Sequence, residues 1–240
     1  MLSIALLAAA IAASPCTDPL LTGDTLLPLD GAAAVSALAA GDHGKLTDAQ
    51  NGMLYVTAVF AKTSAKPRRD ADSALACLRR AITVCPDNPV LKAYGYTARL
   101  VRAQHGEIAE TRFVLDTLRL YFDALDTLAK QHPENYAVQF IAGCVLQNAF
   151  VLKPAVERYW WRSKRILDAL YQKSLANNCP SFFTPEIRAN IRLNLAYLEG
   201  KLGGEDGKDL RRAALAQVIT DFPSTRAAEQ ARTSLEDPSE

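Results

Sequence analysis

Four prolines punctuate the chain at near-regular intervals: Pro86, Pro133, Pro180 and Pro223 stand 47, 47 and 43 residues apart, each closing an Ala/Leu-rich run of helical period. Proline lacks the backbone N–H that a continuing helix needs, so each marks a stop. A stop recurring at a steady interval describes a stack of helix pairs, each burying its apolar face against the next. The fold class expected is therefore all-α. Helical runs are placed at about 48–63, 70–84, 89–105, 107–131, 135–151, 154–177, 185–203, 207–221 and 224–236, with a weaker one near 32–40. Asn88-Pro89 and Thr184-Pro185 each set a capping side chain before a proline in the first helical turn. No run reads as a strand.

With 49% hydrophobic residues in 240, the chain can bury a sizeable core. Its 27 basic residues are matched by 26 acidic ones, so it lacks the positive field that draws nucleic acid, and no nucleic-acid partner is expected. Leu2 to Ala13 is an uncharged apolar stretch followed by Ser14-Pro15-Cys16, with the small residues Ala10 and Ala12 placed as a leader peptidase requires. This reads as an export signal. No Lys or Arg precedes it, and a plain N-terminal helix is the alternative. Cys16 is a candidate lipidation site, because bacterial lipoproteins are cut before a cysteine that is then acylated, although Pro15 departs from that pattern. No later apolar run reaches the roughly 20 residues that cross a bilayer. Residues 1–16 are thus expected to be a signal, 17–47 a tether with a weak first helix, and 48–240 the repeat domain, and the protein is placed in the periplasm or on the membrane by a lipid anchor.

Setting Cys16 aside, Cys77, Cys85, Cys144 and Cys179 form an even set that an oxidising compartment can pair. Cys77 and Cys85 lie eight positions apart on one expected helix, roughly 12 Å along its axis, and cannot pair with each other. Any bridge among the four joins different repeats, and buried free thiols are the plainer reading. His43, His105 and His132 are isolated and no Cys-x-x-Cys occurs, so no metal or other cofactor is expected.

The clearest repeat is Ala74-x3-Leu78-x2-Ala81-x4-Pro86, with weaker echoes at Tyr121, Leu125, Leu128, Pro133 and at Arg211, Leu215, Val218, Pro223. Small residues at these offsets let two helices approach around one large residue. In this the chain resembles the tetratricopeptide family, and Gly95 and Gly143 fall near that family's first-helix glycine. The resemblance covers about 48–236 and implies a right-handed superhelical stack of about four antiparallel hairpins, with 224–236 as a capping helix. The family period is about 34 residues, shorter than the spacing here.

Three clusters stand out as binding candidates. Tyr159-Trp160-Trp161 lies among Arg158, Arg162, Lys164 and Arg165; Trp160 joins the stripe Val156, Trp160, Leu167, Leu170, leaving Trp161 to face elsewhere, one turn from Arg165. Beside the core stripe Ile187, Ile191, Leu195, Leu198, Arg188 and Arg192 stack on one flank and Asn190 and Asn194 on the other, a spacing suited to a carboxylate or peptide backbone. Phe140, Cys144, Gln147 and Asn148 would line a groove if their helix is an inner one. Helix packing and solvated faces are the competing accounts of all three. No nucleophile–base pair, phased carboxylates or phosphate loop is found; Gly203-Gly204 follows a helix rather than a strand and reads as a turn. The expected function is a non-catalytic scaffold binding a protein or peptide of the bacterial envelope, as the family resemblance implies. The alternative is an accessory subunit of a periplasmic, tripartite (TRAP-type) solute-uptake system, as in similar repeat lipoproteins, with a ligand cavity or pore.

Overall fold

The computed structural model describes Cys16 and residues 47–60, 63–105, 112–149 and 156–236. The expected signal, tether and weak helix near 32–40 otherwise lie outside the described residues. Among these there are nine α-helices and no strand: α1 (Asp48–Phe60), α2 (Pro67–Val84), α3 (Pro89–Gln104), α4 (Arg112–Gln131), α5 (Tyr136–Leu146), α6 (Val156–Ser174), α7 (Pro185–Leu202), α8 (Gly207–Asp221) and α9 (Arg226–Glu236), with a 3₁₀ turn at Gly204–Asp206 between α7 and α8.

Side-chain caps explain where the odd-numbered helices begin. Thr47 and Gln50 form a reciprocal capping box: Gln50 N–H donates to Thr47 Oγ1 at 3.2 Å and Thr47 N–H to Gln50 Oε1 at 2.9 Å. Asn88 Oδ1 accepts from Leu91 N–H, Asn135 Oδ1 from Val138 N–H, Thr184 Oγ1 from Ile187 N–H and Thr225 Oγ1 from Ala228 N–H. Each satisfies an otherwise orphaned donor of a first turn. Three of these caps stand two residues after a repeat-closing proline: Pro86 before Asn88, Pro133 before Asn135, Pro223 before Thr225. Stop and start are thus written in one short phrase, and the even helix α2 opens differently, on Pro67 without a side-chain cap.

The helices form two layers. Each contacts its neighbours in sequence, and α1, α3, α5, α7 and α9 also contact one another in order; the even-numbered helices make no comparable contact among the described residues. Between α4 and α6 long side chains make the link. Arg158 on α6 donates to Asp123 on α4 at 2.7 Å, and Arg162 to Asp126 at 2.6 Å. Tyr159 Oη also donates to Asp123, at 2.8 Å.

Within hairpins, glycine sets the approach. A Cβ on Gly52 of α1 would lie 2.6 Å from Leu78 Cγ on α2, and one on Gly143 of α5 would lie 2.6 Å from Leu167 Cδ2 on α6. Both leucines are fully buried in the vacated space. Ser163 Oγ closes the second contact by donating to the Gly143 carbonyl at 2.5 Å. Gly95 is looser, since a Cβ there would meet nothing nearer than Ile82 Cδ1 at 3.3 Å.

One core runs from α1 to the inner stripe of α7, through Leu78, Leu91, Phe122, Leu125, Leu146 and Leu167. A second, smaller one is built from the other side of α7 (Ala189, Leu193, Ala196) with Leu215 and Val218 of α8 and Ala227 and Ala231 of α9. Helix α7 is therefore apolar on two faces: Ile187, Ile191, Leu195 and Leu198 join the first core, as expected, while the alanine-rich face serves the second.

Candidate binding surface

The end of α5 turns into a polar node. Gln147 caps that helix and is 5% exposed. Its carbonyl accepts two hydrogen bonds, from Trp160 Nε1 and from Lys201 Nζ, both at 3.0 Å. A lysine ammonium on a terminal carbonyl complements the negative end of the helix dipole. The Gln147 amide nitrogen donates to Asn194 Oδ1, and Asn194 Nδ2 donates to the Asn190 carbonyl at 2.7 Å. Asn190 in turn donates to Glu186. Gln147 Oε1 is buried without a hydrogen-bond partner.

Lys201 is exposed as a residue, yet its ammonium folds inward to 5.5 Å from the Trp160 ring centre. Burial of the ammonium there, and then the nearby Arg211 charge, push its pKa below the usual lysine range. The carboxylate-sized spacing expected on α7 is thus divided. Asn190, Asn194 and Gln147 come together on the odd layer, joined by Lys201, which sequence reasoning missed because its partner lies 54 positions away.

Arg188 and Arg192 do not join them. Arg188 Nε donates to the Phe183 carbonyl at 3.0 Å and its Nη2 reaches Cys179 Sγ, fixing the loop before α7. Arg192 lies over the Tyr171 ring of α6 at 5.0 Å, and its buried Nε has no hydrogen-bond partner. Phe140 is a core residue rather than a groove surface, 3% exposed and edge-on to Phe182. Trp161 is 51% exposed, Arg165 is also exposed, and among the described residues no cation–π contact joins them. Trp160, by contrast, is tied down by its indole hydrogen bond.

Two shallow depressions meet on the exposed side of α2, where Ser73 and Ala76 line both. The larger, about 670 Å³, takes in Lys66, Arg69, Asp72 and His105; the smaller, about 550 Å³, takes in Asp48, Tyr55, Cys77 and Arg80. Both acidic residues of this surface are paired: Arg80 grips Asp48 through two nitrogens, at 2.6 and 3.0 Å, and Arg102 pairs with Asp72. The Arg80 hydrogen bond holds the Asp48 carboxyl below the usual carboxylate range. Burial pushes the Cys77 thiol up, away from the reactive thiolate.

Cys16 is the residue whose placement differs most from expectation. Its sulfur is bonded to Cys85 at the end of α2, while Cys77, Cys144 and Cys179 are free. The even set of four therefore does not pair within itself. Among the described residues no group of three or more His, Cys, Asp or Glu side chains is gathered as metal ligands would be, and no helix is long and apolar enough to cross a membrane. Comparison with family models, with curated proteins and with solved structures returns no match.

Proposed function

We propose that the chain is a non-catalytic, tetratricopeptide-like superhelical scaffold that binds a protein or peptide partner in the bacterial cell envelope. The observation that carries this reading is the unequal layering. Odd-numbered helices touch one another in order, whereas even-numbered ones make no comparable contact and α4 and α6 are linked through Arg158 and Arg162; in this reading the odd layer is the shorter, inner surface of a curved stack. On it stand the half-buried amides Asn190 and Asn194, which an extended peptide backbone would engage in place of their present bonds to Glu186, to Gln147 and along α7. The apolar leader at Leu2–Ala13 supports the envelope placement.

The test is site-specific photo-crosslinking in the envelope fraction. A crosslinker at position 190 on α7 should give one discrete product, and one at exposed Gln217 on the outer helix α8 should give none. Equal products from both positions, or none from position 190, would contradict binding through the odd layer.

A further inference from the structure

We propose that Cys16 and Cys85 are joined in the mature protein, and that this bond, not an acyl chain, is the covalent fate of Cys16. The two Cα atoms lie 5.8 Å apart across the disulfide. Cys16 also packs against the main core, so the contact is more than a single bond at the surface. Cys85 is held from both sides: 5% exposed, it donates its N–H to the Ala81 carbonyl and accepts at its own carbonyl from Asn88 N–H. It belongs to the turn that ends the first hairpin and starts α3. The bond closes a ring from residue 16 to residue 85 that encloses α1 and α2.

Acylation of a lipoprotein cysteine forms a thioether at the same sulfur, so the two fates exclude each other. Any cut that removes the apolar leader must then leave Cys16 in the chain. Forming the bond takes two protons and two electrons from the two thiols; the acceptor is a disulfide-carrying oxidant, which leaves as the dithiol. Compartments beyond the cytoplasmic membrane supply such oxidants and the cytoplasm does not. The inference rests on the envelope placement proposed above only for this oxidant, and not on any partner.

The experiment uses the full chain, expressed with its own leader in a bacterium and recovered from the envelope fraction into a denaturing alkylating buffer for intact mass and peptide mapping. Without reductant, three cysteines should be alkylated, Cys77, Cys144 and Cys179, with no acyl mass and a linked peptide pair containing Cys16 and Cys85. After reduction all five should be alkylated. The variant Cys85→Ser should gain one alkylated cysteine, Cys16, without reduction. A diacylated Cys16, or Cys85 linked to another cysteine, overturns the proposal. Five free thiols in envelope-located protein overturn it too, while leaving the placement standing. The bond found in protein recovered from the cytoplasm upholds the pairing and overturns the placement.

Discussion

The first and last described hairpins are built to one plan and held by different means. In α1/α2 a large residue does the work: Leu78 fills the space over Gly52 and joins Met53 and Val56 in the main core, and the hairpin lies inside the Cys16–Cys85 ring. In α7/α8 the backbones themselves meet, because a Cβ on Gly207 would collide with the Gly200 carbonyl oxygen. The apolar material there is thin: α8 buries only Leu215 and Val218 besides Gly207, and α9 offers three alanines. Buried area scales with side-chain size, so an alanine seam yields far less than a leucine one. Helices at the two ends can therefore be equally well formed and unequally anchored, and the hydrogen bond between Tyr197 Oη and Ser234 Oγ, 2.8 Å, is among the few polar links holding α9.

Removing the ring should have the largest effect. By loop-closure entropy a disulfide spanning 69 positions contributes roughly 4 kcal/mol, so Cys85→Ser, or reduction, should lower the urea midpoint by that equivalent. Next comes Leu215→Ala. It should cost about 2 kcal/mol, the low end for a buried leucine, since an alanine-lined seam at the edge can partly close; amide exchange should rise in α8 and α9 and not in α1–α6.

Glycine substitutions sharpen the contrast in mechanism. Gly207→Ala meets a backbone atom that cannot rotate away, and should cost about 2 kcal/mol. Gly52→Ala meets the Cγ of buried Leu78 rather than backbone first, and the helix propensity it gains offsets part of the clash, leaving about 1 kcal/mol in thermal denaturation. The smallest effect is electrostatic. Asp48 has a lowered pKa in the folded state, so its pairing with Arg80 stabilises α1/α2 above the unfolded value of 3.8 and is lost as pH falls through the lower, folded value. Both side chains are well exposed, so Asp48→Asn should remove only a marginal part of the acid dependence, read from denaturation at successive pH values.

Helix positions were legible because punctuation is local. Pro86, Pro133 and Pro223 stop helices, and the Asn or Thr two residues later starts the next. The departures have local causes too: α2 begins at Pro67, ahead of the expected 70, because proline fits its first turn, and α5 ends at Leu146, short of 151, where Gln147 caps it. What could not be read depends on distance in sequence. The Cys16–Cys85 bond, the Lys201–Gln147 contact and the second face of α7 each need a partner tens of residues away, and Ala189, Leu193 and Ala196 carry too little hydrophobic signal to announce a core of their own. The two arginines of α7 were read as a pair because they stack along one flank; tertiary contacts with Phe183 and Tyr171 engage them separately.

The central claim is that one stack is anchored covalently at its first hairpin and by a thin alanine seam at its last. Hydrogen exchange followed by mass spectrometry, with and without reductant, tests it most directly. The account predicts that α8 and α9 exchange ahead of α3–α6 under both conditions, while α1 and α2 lose protection only on reduction. Uniform protection across the chain, or α1 and α2 unmoved by reductant, would contradict it.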